Sequence, residues 1–152
     1  MALDVTASER IDAPPAVVAS VQFDPQRDPE WIGGVERSEW VSVPPIGVGS
    51  EVRRVGGFLG RRIEWVMQVR RFEPGRLVGM HALKSPFPMD VDYVLEPVAG
   101  GEATQASIRI RGEGRGLYGM PGWLASPIVR RSVQSDLSRL KQIVERGRRV
   151  VR

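Results

Sequence analysis

The chain has no cysteine and a single histidine, His81. The first absence removes disulfides, a thiolate nucleophile and Cys-ligated zinc; the second removes a His-rich metal site. No metal and no other cofactor is expected. Long apolar runs are missing too: nothing approaches the roughly 18 residues of a membrane span. The opening stretch, MALDVTASER, places acids and polar groups where a secretory leader needs an apolar core. A cytoplasmic protein is the expectation. No Ser/His/Asp triad, paired-carboxylate geometry or metal-ligand spacing can be argued from the pattern.

What is present is ordinary in amount. With 152 residues, 41% hydrophobic and 26% charged, residues 1–152 suit one domain with a core large enough to hold a cavity. The net charge of +4 is local: from Ala125 onward eight Lys/Arg stand against two acids, ending in Arg148, Arg149 and Arg152. This basic tail, 147–152, is either a solvated terminus or a weak contact for anionic surfaces. The strands lack the basic–aromatic interleave that stacks bases, so no nucleic-acid partner is expected.

The clearest element is a helix over 126–147. Ser126 suits the N-cap, Pro127 the first helical position and Gly147 the stop. Val133, Leu137, Leu140 and Val144 share one face, widened by Ile143, while Arg130, Arg131, Asp136, Arg139 and Lys141 occupy much of the rest. At about 1.5 Å per residue this is a rod of roughly 30 Å whose apolar face needs a cover.

The chain before it offers mainly strands. Residues 3–12 alternate, with Leu3, Val5, Ala7 and Ile11 on one side; Glu9 interrupts that side, marking a sheet edge or a cavity wall. Two short helices follow, 16–23 after Pro14-Pro15 and 26–32 carrying Trp31, too short to be stable undocked. Strands are predicted over 35–43, 50–55, 61–72, 76–83, 89–98 and 103–111, with a glycine-rich turn at 56–60. Short turns between successive strands favour antiparallel pairing. The economical packing is an α+β fold: a seven-stranded curved antiparallel sheet wrapped around the long C-terminal helix, with two short helices between strands 1 and 2.

With these landmarks the sequence resembles the START-like, or SRPBCC, superfamily with its helix-grip fold, and within it the polyketide cyclase/dehydrase and lipid-transport branch. The resemblance is carried by Ile11-Asp12-Ala13-Pro14, by Asp24 with Trp31, by Gly47-Val48-Gly49-Ser50 and by Val69 with Phe72-Glu73-Pro74. Tyr93-Val94-Leu95-Glu96-Pro97, Gly100-Gly101 and the stretch 137–145 complete it. These mark a fold and carry no catalytic signature. The resemblance implies a cavity between sheet and helix for lipids, polyketides, steroids or other apolar molecules, without implying one chemistry.

Candidate residues follow from alternation and from that implied cavity. Ile63, Trp65 and Met67 share a strand face, as do Met89, Val91 and Tyr93, and Ile108 and Ile110; with Trp123, Val133 and Leu137 they form either a ligand wall or plain core. His81 lies between two mixed strand faces; turned inward it is a candidate acid/base, otherwise a hydrogen-bonded histidine. Tyr93 is a candidate hydrogen-bond donor to a ligand carbonyl. The stretch 117–124 (LYGMPGWL) reads as a lid or as the irregular lead into the helix. Gly114 to Gly119 match G-x-G-x-x-G, but no second strand follows to complete a dinucleotide fold, so a connection is expected there. The leading expectation is a binding protein for a hydrophobic small molecule. A polyketide cyclase or dehydratase using His81 and Tyr93 is the alternative, and an interaction protein using the basic tail the third.

Overall fold

The computed structural model describes residues 3–58, 60–85, 88–112 and 122–151. The chain opens with β1 (Leu3–Ile11), whose apolar alternation buries Leu3, Val5, Ala7 and Ile11. Pro15 then starts α1 (Pro15–Gln22), where a missing N–H costs nothing in the first turn. Asp24 accepts from the Gln26 N–H at 3.1 Å and caps a 3₁₀ turn that runs into α2 (Asp28–Trp31), a single turn. Six strands follow: β2 (Val35–Trp40), β3 (Glu51–Phe58), β4 (Arg61–Glu73), β5 (Leu77–Lys84), β6 (Met89–Val98) and β7 (Ala103–Gly112). The last element is α3 (Gly122–Val151), 30 residues long and about 45 Å by its rise.

All seven strands pair antiparallel in the order β1-β7-β6-β5-β4-β3-β2, so short connections link neighbours and only β1 crosses the sheet to join β7. Register shifts between β4 and β5, and another between β2 and β3, bend the sheet. Its inner face closes on α3, with α1 and α2 packed against the helix beside it. Glu9 sits on the edge strand and accepts from Gln134 and Ser138 of α3, which settles its role as an edge residue.

The expected fold is the observed one, with boundary corrections that have physical causes. Gly56 and Gly57 belong to β3 instead of a turn. A Cβ on Gly56 would lie 1.7 Å from the Gly34 carbonyl oxygen, so glycine there serves a close backbone crossing. The strand expected to reach Val43 stops at Trp40, after which the Ser42 hydroxyl takes the Glu51 N–H at 2.8 Å. The long helix starts at Gly122, not Ser126, placing Pro127 inside its early turns, and it runs through Gly147. Three contacts hold its later half against the end of β1: Asp12 N–H to Glu145, Lys141 to the Arg10 carbonyl, and Arg148 to the Asp12 carbonyl at 2.6 Å. They extend the ordered helix into the predicted tail. No described helix is long and apolar enough to cross a membrane.

Candidate functional site

Sheet and helix do not meet everywhere. A cavity of about 160 Å³ lies between the first half of α3 and the inner face of the sheet, with α2 along one side. Ile63 and Trp65 of β4 form part of its wall, and Val91, Tyr93, Ile108 and Ile110 of β6 and β7 form another. The pairs Val91–Ile110 and Tyr93–Ile108 are direct cross-strand partners, so one face supplies all four side chains. Met89 and Val133 complete the predicted set, joined by Val129 one turn earlier on α3. The size matches an apolar cavity that takes a benzene ring, around 150 Å³. It falls below the roughly 300–1,000 Å³ typical for drug-sized ligands.

Three expected residues do not belong to this wall. Met67 and Leu137 have no exposed surface and lie in the closed core. His81 faces the other side of the sheet: Met80 and Ala82 are buried, and alternation turns His81 outward, where Nδ1 lies 2.8 Å from Asp90 Oδ1. That outer face carries ion pairs, including Asp92 held between Arg71 at 2.8 Å and Arg111 at 3.1 Å. The Trp123 side chain, the G-x-G-x-x-G stretch and residues 117–121 of the candidate lid lie outside the described residues.

One end of the cavity is polar. Arg54 of β3, 7% exposed, donates from Nε to Asp28 Oδ2 at 2.9 Å and from Nη2 to the Tyr93 hydroxyl at 3.2 Å. Ser38 adds a hydroxyl bond to the same Asp28 oxygen. Burial alone would favour discharging Arg54, but the charge of Asp28 and the hydrogen bonds to Asp28 and Tyr93 outweigh it and hold the guanidinium above its ordinary value. Burial pushes Asp28 up, with Arg54 and Ser38 pulling it back. The Tyr93 hydroxyl is pushed up to about 12, chiefly by burial, so it stays protonated. Having accepted from Arg54, it keeps its own hydrogen to donate.

Asp136 of α3 faces this group and is 9% exposed. Its Oδ1 accepts from the Gly33 N–H at 3.0 Å and from Arg139, whose Nε also reaches the Trp31 carbonyl at 3.1 Å. The helix is thereby latched to the corner between α2 and β2. Burial pushes the Asp136 carboxyl up, opposed by the Gly33 hydrogen bond, Arg139 and Arg54. Trp31 packs edge-on against Tyr93 at 5.5 Å between ring centres. The indole N–H groups of Trp31 and Trp65 are buried without a partner among the described residues.

Arg54, Asp28, Trp31 and Asp136 are the residues that strand and helix patterns did not select for the site. Two signals were there. Arg54 shares strand parity with Val52, and Asp136 lies three residues from Val133 and four from Leu140, inside the apolar stripe. A charge on an apolar face is the informative exception to burial rules. Among the described residues, no group of three His, Cys, Asp or Glu is arranged to hold a metal ion.

The sequence profile for polyketide cyclase/dehydrase and lipid-transport proteins matches residues 2–145. The chain belongs to that family. No curated protein matches it. Solved structures agree on the fold. A START superfamily protein from Mycobacterium smegmatis superimposes with a TM-score of 0.81 at 14% identity, covering 94% of this chain and 97% of its own. The Zhui aromatase/cyclase from a Streptomyces species gives 0.78 at 18% identity, with 96% and 95% covered. A Thermus thermophilus protein gives 0.76 at 21% identity, with 95% and 98% covered. At these identities the likeness establishes the START-like helix-grip fold of the family member described here, and the site must carry the function.

Proposed function

We propose that the protein binds one hydrophobic small molecule, lipid- or polyketide-like, in the cavity between α3 and the sheet. The observation that carries this reading is the cavity itself: apolar walls from five strands and two helices, with a few convergent polar groups at one end. Family membership supports it. Native mass spectrometry and solvent extraction of protein purified without detergent should reveal a bound apolar compound. A panel of lipids and aromatic polyketides should raise the melting temperature for at least one class. A protein that is reproducibly empty and shifted by no panel member overturns the reading.

A second reading, cyclase or dehydratase chemistry on a polyketide-like substrate, is favoured by one observation: a carboxyl raised by burial, Asp136, faces the Arg54–Tyr93 pair. In this reading Asp136 takes the proton from a carbon next to a ligand carbonyl. Arg54 and Tyr93 donate to the oxygen that becomes negative. His81 has no part, being on the opposite face. Turnover of a poly-β-ketone substrate should fall about a hundredfold or more in Asp136→Asn and be unchanged in His81→Ala. Turnover preserved in Asp136→Asn removes the assignment.

A further inference from the structure

Opposite the side that lines the cavity, α3 presents a second face to solvent. Leu124, Ile128, Arg131, Ser135, Gln142 and Arg146 are all exposed, and at 3.6 residues per turn they fall within an arc of about 60°. Val129 and Val133, which line the cavity, lie on the other side of the helix. The outward stripe runs about 33 Å and is sorted along its length. Leu124 and Ile128, 45% and 37% exposed, stand at its start beside exposed Pro127; the cations come after them. Neither Arg131 nor Arg146 has a carboxylate partner among the described residues. The two acids of the helix are engaged elsewhere, Asp136 with Gly33 and Arg139, Glu145 with Asp12 and Lys141. Glu9 of β1 meets the helix at its flank, where Gln134 and Ser138 hold it.

An acid-free face with arginines fits an anionic partner, and its apolar start decides which kind. Nucleic acid would use the arginines and leave Leu124 and Ile128 in water. A stable protein interface needs about 800 Å² from each partner, of which two side chains and a proline supply a small part. A bilayer takes apolar side chains singly, at the boundary of head groups and acyl chains, while anionic head groups meet the cations. We propose that the outward face of α3 docks on an anionic lipid surface, with Leu124 and Ile128 in the interface and Arg131 and Arg146 against the head groups. The loop 41–48 between β2 and β3 also exposes Val41, Val43 and Val48, but no cation lies between Trp40 and Glu51. It serves as the control.

The test is flotation of the intact protein with vesicles of phosphatidylcholine, alone or mixed in equal parts with phosphatidylglycerol. Binding should appear with the mixed vesicles and fade as salt is raised. Arg131→Gln combined with Arg146→Gln should weaken it about tenfold or more, since each arginine near such a surface is worth about fivefold. Leu124→Ser combined with Ile128→Ser should weaken it several-fold and leave its salt dependence in place. Val43→Ser should leave it unchanged, and circular dichroism checks that each surface variant stays folded. No binding to the mixed vesicles overturns the inference, and so does native-like binding by either double variant. Loss of binding in Val43→Ser assigns the contact to the loop and overturns it too. Tighter binding to a DNA duplex or to polyglutamate, untouched by the Leu124 and Ile128 changes, assigns the face to a nucleic acid or a protein instead. Docking is read without any ligand, so its failure leaves the apolar-ligand reading standing.

Discussion

Along α3, Val129 and Val133 look into the cavity, whereas Leu137, Leu140 and Val144 are closed into the core with Ile11, Leu95 and Ala106. One turn of helix separates the two regimes, and both use small aliphatic side chains on a single stripe. The difference lies in what stands opposite. Toward the C-terminus, the Glu145, Lys141 and Arg148 contacts draw the helix onto β1. Toward the N-terminus, Trp31, Trp65 and Tyr93 stand between helix and sheet. An apolar stripe therefore reports which way a helix faces and leaves open whether the facing wall is in contact.

The largest expected effect is at the polar end that divides the regimes. Arg54→Met should cost about 3–5 kcal/mol in urea unfolding, because it strands Asp28 as a buried unpaired charge. Adding Asp28→Leu should recover much of that loss; a single variant as stable as the native protein would show that the pair is solvated. Next, Leu137→Ala should cost about 2–5 kcal/mol and leave ligand affinity within about twofold, as expected of closed core. Val133→Ala should cost only about 1.5 kcal/mol, since it enlarges a space already present, and should weaken ligand binding. If the two positions behave alike, the contrast along α3 is lost.

A smaller effect concerns pH. The folded-state pKa of Asp136 is raised above the unfolded value, so the stability it contributes is fully present below the ordinary Asp value of 3.8 and lost as pH rises through the folded-state value. Asparagine mimics the protonated form at every pH. The stability of Asp136→Asn relative to native protein should therefore improve from acid toward neutral pH, read from urea midpoints across that range. A relative stability that declines toward neutrality would mean Arg139 and Gly33, not burial, govern the carboxyl. The smallest change should come from His81→Ala: within about 0.5 kcal/mol, and no change in ligand affinity, because the residue sits across the sheet from the cavity.

The fold was legible because period-two alternation in strands such as β1 and β6, and the four–three–four spacing on α3, survive in the structure. Turn chemistry read less well at Gly56-Gly57, where glycine meets a neighbouring backbone instead of reversing the chain. The apolar wall at Trp65, Val91, Tyr93 and Ile110 followed from alternation, yet its polar end did not. Arg54, Asp28 and Asp136 come from three separate elements; strand parity at Arg54 and stripe position at Asp136 mark charges on apolar faces, but only the meeting of β3, α2 and α3 makes one site of them. His81 attracted attention by its chemistry alone, and the register with Asp90 decided its side.

The Gly34–Gly56 crossing bears on how proteins of this architecture change over descent. Where β2 leaves α2, the two backbones are too close for any side chain at Gly56. The walls are under no such rule: Ile63, Trp65, Met89 and Ile110 can each be exchanged for another apolar residue, altering the space by a methyl group or a ring at a time. A lineage can thus inherit the corner intact and redraw the walls around each new ligand. The fixed point is one glycine at the crossing, and the walls beside it are free to vary.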